Sequence, residues 1–142
     1  ANRNLTYREL NHAMRLVLNG AELICSGTTQ FFKGTHHSDT GYFLGESAIA
    51  QAISHATGKS IRYIGKPYPE IFNQVLSDFN VTNNESVMIG DTLNSDIRGA
   101  NSLGITSILT TNDRIIDINS IPNKDRPNYS VKNIKELYDK LF

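Results

Sequence analysis

Apolar positions recur along this chain in two alternating rhythms, one of about 3.6 residues and one of short continuous runs. Thr6-Tyr7-Arg8-Glu9 has the Thr-x-x-Glu spacing that opens a helix with a reciprocal cap. Leu10, Ala13, Met14 and Val17 then form one apolar stripe, and Gly20 supplies a stop. Residues 22–26, centred on Leu23-Ile24-Cys25, read as a short strand. Residues 27–44 are polar and turn-rich with neither period, which predicts a long loop of the functional or mobile kind. A second helix is predicted near 46–57, with Ile49, Ala52, Ile53 and Ala56 on one face and Gly58 at its end. Residues 61–64 form a strand that delivers Gly65-Lys66-Pro67. Pro69 stands where a helix tolerates proline best, and Ile71, Phe72, Val75, Leu76 and Phe79 continue as a core stripe.

Val87-Met88-Ile89 is wholly apolar and ends in Gly-Asp, the pattern of a strand buried on both faces. Ser95 is placed to cap a short helix through Ile97, Ala100 and Leu103, closed by Gly104. Residues 106–109 are the next strand, and 111–126 are polar without assignable period. Ser130 is the expected cap of a last helix bearing Val131, Ile134, Leu137, Tyr138 and Leu141. Strands alternating with helices predict an α/β protein with a parallel sheet. No repeat or low-complexity tract interrupts it, and the internal boundary is expected at Gly65.

Composition narrows the function. Lys plus Arg and Asp plus Glu are 14 each, so the chain has neither the basic footprint of a nucleic-acid binder nor a polybasic membrane anchor. No apolar run reaches the roughly 20 residues that span a bilayer, and no secretory leader pattern is present. The lone Cys25 excludes an intramolecular disulfide and suits a reducing, cytoplasmic setting. The first residue is Ala1 rather than a methionine, an outcome that processing or the loss of a larger N-terminal portion would each give.

The candidate chemistry lies at two strand ends. Asp91 follows Gly90 at the carboxyl end of its strand, where ligands bind in open α/β sheets. Magnesium takes oxygen ligands, commonly one or two carboxylates with water and phosphate oxygens. Asp96, five positions on, can hold a metal-bound water or a lysine; alone it also reads as an acid at a helix start. Lys66, fixed in a sharp Gly-Lys-Pro turn, can neutralise phosphate charge as it shifts in a transition state.

With these motifs the sequence resembles the haloacid dehalogenase superfamily of phosphohydrolases, in particular its NagD-like, p-nitrophenylphosphatase branch. Gly65-Lys66-Pro67-Tyr68-Pro69-Glu70-Ile71-Phe72 matches that branch's lysine motif. Ile89-Gly90-Asp91-Thr92-Leu93-Asn94-Ser95-Asp96-Ile97 matches its acidic motif, and Asn101-Ser102-Leu103-Gly104-Ile105 the turn after it. Leu5-Thr6-Tyr7 with Leu10, Asn19-Gly20-Ala21 and the entry at Gly45 resemble elements of its cap. The resemblance implies residues 1–64 as most of an α/β cap and 65–142 as the C-terminal half of a Rossmann-like core. It implies Lys66 as the catalytic cation, and Asp91 and Asp96 as the metal-site acids for Mg2+, with Asp96 in support of Asp91. Thr28, Thr29, Pro67 and Asn94 would face a small phosphorylated metabolite.

Two departures stand out. The family's Asp-x-Asp nucleophile motif and its Ser/Thr motif do not occur in these 142 residues; Asp117-Ile118-Asn119 lies after the acidic motif and lacks the second carboxylate. Gly27-Thr28-Thr29-Gln30 stands where the branch carries a Thr-Asn-x-Asp-like segment. The expectation is therefore the back part of a phosphatase that works through an aspartyl-phosphate intermediate when complete, inactive alone, and self-associating or paired with a missing N-terminal segment. The alternative is a catalytically dead α/β module that binds a phosphometabolite or a protein partner. His36-His37 with Asp39 offers metal-ligand residue types, but adjacent histidines project differently and a solvated loop is the simpler reading. Cys25 is expected as a buried small hydrophobe, and Tyr42-Phe43 as a loop anchor.

Overall fold

The computed structural model describes residues 5–36 and 39–141, which divide into two compact units between Gly65 and Lys66. The fold is α/β with parallel sheets, as the alternation of elements predicts.

In the first unit, α1 (Tyr7–Leu18) starts at Thr6, whose hydroxyl accepts from the Glu9 amide while the Glu9 carboxylate takes the Thr6 amide. β1 (Leu23–Cys25) pairs in parallel with β4 (Ile61–Tyr63), Leu23 opposite Ile61. Between them run β2 (Phe31–His36), β3 (Asp39–Leu44) and α2 (Glu46–Thr57), the last closed by Gly58 in the left-handed conformation at φ 66°. α2 packs against α1 and β1, and Val17, Cys25, Ser47, Ala50 and Ile53 are buried. Cys25 donates its thiol to the Gly27 carbonyl, 3.2 Å, in keeping with its expected core role.

The expected loop over 27–44 is instead an antiparallel hairpin, Phe31 opposite Leu44 and Phe32 opposite Phe43. Cross-strand side-chain pairs favour it: the Phe32 and Phe43 rings stack at 5.9 Å and the Phe31 and Tyr42 rings meet edge to face at 5.7 Å. His37 lies outside the described residues, so the His36-His37-Asp39 group does too.

The second unit holds α3 (Pro69–Phe79), β5 (Val87–Gly90), α4 (Arg98–Ser102), β6 (Thr106–Thr110), β7 (Tyr129–Val131) and α5 (Ile134–Leu141). The sheet is parallel in the order β5-β6-β7, with Leu109 of central β6 fully buried. Phe72, Ala100 and Ile105 form the core, with Leu76, Met88 and Leu103 packed on it.

Three local expectations are corrected here. Ser95 does not cap a helix; a π turn over Leu93–Ile97 precedes α4, with the Thr92 carbonyl accepting from the Ser95, Asp96 and Ile97 amides. Ser130 lies in β7, because Val131 fills the core from that strand, and α5 is capped by Asn133, whose side chain accepts from the Glu136 amide at 3.0 Å. β5 is not buried on both faces. It pairs with β6 alone among the described residues, leaving Val87 and Ile89 54% and 41% exposed.

Candidate functional site

The second unit gathers its polar chemistry where β5 ends. Gly90 closes the strand, and a Cβ there would run into the Asp96 side chain, so only glycine lets that carboxylate fold back against the strand end. The π turn swings Asp96 inward until it is 5% exposed. Its Oδ1 accepts from Lys66 Nζ at 2.7 Å and from the Ser95 hydroxyl at 3.4 Å; its Oδ2 accepts from the Thr92 amide at 3.2 Å. A buried carboxylate needs such partners, and a charge-assisted bond of this length is among the stronger ones. Lys66 remains 47% exposed, so its ammonium keeps donor capacity toward solvent.

Asp91 is the exposed member. Its Oδ1 accepts from the Thr92 hydroxyl at 3.0 Å, its Oδ2 lies 3.5 Å from the Asn112 amide nitrogen, and its main-chain oxygen accepts from Arg114 at 2.7 Å. Each carboxylate oxygen retains a lone pair for a hard cation. Lys66, Asp96 and Asp91 thus form one chain of contacts through Thr92. Among the described residues, no group of three or more His, Cys, Asp or Glu side chains is positioned to hold a metal ion.

Asn94 is exposed on the π turn, and Pro67 follows Lys66 through a cis peptide bond. Thr28 and Thr29 belong to the first unit, in the segment from β1 to β2, both exposed. There the Thr29 amide donates to Glu46 Oε1 at 3.1 Å, and the Thr29 carbonyl accepts from the Ser47 amide. Burial pushes the Glu46 carboxyl up, but hydrogen bonds from its own amide and from the Thr29 amide and hydroxyl outweigh it and hold the group below its ordinary range.

Motif reading gave Thr92 no role of its own and missed Asn112 and Arg114. The last two reach Asp91 only because β6 lies beside β5, a neighbourhood that local spacing does not encode. Behind the site, Arg98 grips Asp125 with two bonds of 2.6 and 2.8 Å and ties α4 to the turn over Asn123–Asp125.

One end of the parallel sheet thus carries a lysine–aspartate pair and an exposed aspartate. The HAD-hydrolase-like family profile matches residues 63–137, and the chain belongs to this family of haloacid dehalogenase-like hydrolases. It is 35% identical over 103 residues to mouse haloacid dehalogenase-like hydrolase domain-containing protein 2, covering 72% of this chain and 38% of the relative. It is 27% identical over 137 residues to the dihydroxyacetone phosphatase of Corynebacterium glutamicum, covering 96% and 48%. Among solved structures, 4-nitrophenylphosphatase from Thermotoga maritima superposes with a TM-score of 0.81 at 26% identity, over 97% of this chain and 52% of that one. The fold is also that of a glycerol phosphate phosphatase from Mycobacterium tuberculosis solved with magnesium: TM-score 0.80, 20% identity, 96% and 40% covered. The chain thus spans about half the length of the curated relatives it matches, or less. No helix among the described residues is long and apolar enough to cross a membrane.

Proposed function

We propose that these residues carry the charge-stabilising half of a magnesium-dependent phosphatase for small phosphorylated metabolites. The observation that carries this reading is the 2.7 Å pair of half-exposed Lys66 and buried Asp96 beside the exposed Asp91 at the end of β5. Asp96 anchors the lysine, which leaves its other donors free to face a phosphoryl group, where a fixed cation stabilises charge that develops in transfer.

The donor set fits magnesium in part. Asp91 would hold the ion, all-oxygen and partly hydrated, with Asp96 acting through Lys66 and Thr92 rather than as a direct ligand. When bound, the ion supplies charge neutralisation at the phosphoryl oxygens. Residues 1–64 are read as most of a cap over the substrate, with Thr28 and Thr29 facing it, and residues 65–142 as the C-terminal half of the core, with Pro67 and Asn94 at the phosphate end. The attacking carboxylate of an aspartyl-phosphate route is not among these 142 residues. The substrate class is supported by the relatives, one a dihydroxyacetone phosphatase and another an acid sugar phosphatase.

The test begins with the coding sequence upstream of Ala1. An Asp-x-Asp strand there, and magnesium-dependent hydrolysis of sugar phosphates by the protein that includes it, are the expected results. Lys66→Met should reduce kcat by at least about 100-fold, the usual cost of removing a preorganised charge donor. A protein with no such strand that binds phosphometabolites without turnover would sink the enzyme reading.

A further inference from the structure

We propose that Arg114, assisted by Asn112, is a positioning residue for the metal site: it fixes the turn that presents the Asp91 carboxylate. The proposal rests on Asp91 as a metal ligand. All three oxygens of Asp91 are held, two of them from one loop more than 20 residues away in sequence. Arg114 Nη2 donates to the Asp91 carbonyl at 2.7 Å, and Asn112 Nδ2 lies 3.5 Å from Oδ2. The same guanidinium also donates to the Thr111 carbonyl at 2.9 Å and to the Thr110 carbonyl at 3.4 Å, so one rigid fork spans the ends of β5 and β6.

The loop that carries these groups is itself fixed. Thr111 and Asn112 donate their amides to the Val131 and Lys132 carbonyls at 2.9 and 2.8 Å, which continues the sheet past β7. Asn112 and Asp113 adopt left-handed φ values of 50° and 65°, a conformation that Asn and Asp tolerate better than most residues. Lys132 adds an ion pair to Asp113 at 2.7 Å. Asp91 therefore leans on a braced support rather than on a free surface arginine.

Holding a ligand carboxylate in its binding rotamer removes an ordering cost from metal capture. Outer partners of this kind are commonly worth 10–100-fold in affinity. The sign separates this role from the guanidinium's charge, because a nearby cation opposes a divalent ion. Its removal by charge alone would tighten binding, whereas loss of positioning loosens it. Lysine keeps the charge without the fork, so Arg114→Lys separates the two as well.

The experiment titrates the 142-residue chain with Mn2+, following the free ion by electron paramagnetic resonance, beside thermal melts. Asp91→Asn should abolish binding. Arg114→Met and Arg114→Lys should each weaken it about tenfold with melting temperatures within about 2 °C of the parent. Unchanged or tighter binding in Arg114→Met, while Asp91→Asn still loses the ion, overturns the proposal and leaves the metal reading standing. Affinity that falls only in step with the melting temperature also overturns it, since that marks a structural staple. If Arg114→Met fails to fold, Asn112→Gly decides, because glycine keeps the left-handed backbone and deletes only the amide. Measurably weaker binding supports the proposal, and parental binding overturns it. Wild-type chain that binds no Mn2+, or Asp91→Asn that binds it equally well, overturns the metal reading and this proposal together.

Discussion

Lys66 and Asp96, 30 residues apart in the chain, meet at 2.7 Å with the carboxylate almost wholly buried and the lysine side chain about half exposed. Asp96 thus holds the lysine from within the fold, while about half of the lysine side chain stays exposed. The contact also joins the turn before α3 to the π turn after β5, so the pair has a structural role.

Removing the lysine alone should therefore cost stability. Lys66→Met leaves Asp96, among the described residues, with the Thr92 amide and the Ser95 hydroxyl, and with water able to reach the gap the loss should be about 1–2 kcal/mol. Urea unfolding of the two single variants and of the double variant with Asp96→Asn should give a coupling energy near 1 kcal/mol. Additive single effects would mean that the pair contributes nothing to the fold.

Activity follows a different rule, because charge stabilisation without an attacking group makes no covalent intermediate. The 142-residue chain should hydrolyse p-nitrophenyl phosphate no faster than a magnesium-containing blank. Turnover that disappears in Asp91→Asn would show that a nucleophile is present after all and that its assignment outside these residues is wrong.

Magnesium itself should bind weakly. Asp91 is one exposed carboxylate, Asp96 is committed to Lys66, and a firm cage needs more oxygen donors than these. A Kd in the millimolar range, about −4 kcal/mol, is expected by calorimetry. Micromolar affinity would reveal further ligands.

Much of this was legible because it is written locally. The Thr6–Glu9 cap, Gly58 past α2 and Pro69 at the start of α3 each act within one turn of chain, and each stands where the spacing predicts. Lys66 and Asp91 follow strands where the spacing predicts, whereas Asp96, expected at a helix start, lies in the π turn. The hairpin was not, since Lys33, Gly34 and Thr35 break any apolar period and its pairing becomes apparent only across strands. The π turn was hidden because a backbone bond pattern, not a residue type, sets it. Arg114 was hidden because sheet order brings it to Asp91. Ser130 has the chemistry of a cap, but burial of Val131 claims that segment for the sheet.

Acid should expose the Arg98–Asp125 pair. Hydrogen bonds from the Arg98 guanidinium hold the Asp125 carboxyl below its ordinary range, against the opposing effect of burial. A depressed folded-state pKa contributes stability that is fully present above the unfolded value, near 4, and is lost as pH falls through the folded one. Asp125→Asn should thus cost about 1–2 kcal/mol at pH 6 and progressively less below about pH 4. Urea midpoints of both proteins at pH 6 and pH 3 check this. An equal gap at the two values would show that the pair is not the source.

The open side of β5 carries the last prediction. Val87 and Ile89 lie on an edge with β6 as the only strand partner among the described residues, and both are substantially exposed. Beside them an apolar hollow of about 360 Å³ runs along α3, lined by Ile71, Val75 and Phe79 among others. A strand edge offers unpaired N–H and C=O groups as a template, and apolar flanks add area that water disfavours. Natural edges are commonly protected by lysine or proline, and Val87-Met88-Ile89 has neither. The purified chain should therefore self-associate through β5, with a mass by light scattering that rises with concentration. Val87→Lys places a charge on that edge and should return the protein to a monomer while the fold is kept, because more than half of Val87 is already exposed. A wild-type chain that remains monomeric at about 100 μM, well within the range where exposed edges associate, would rule the edge out as a docking surface between copies.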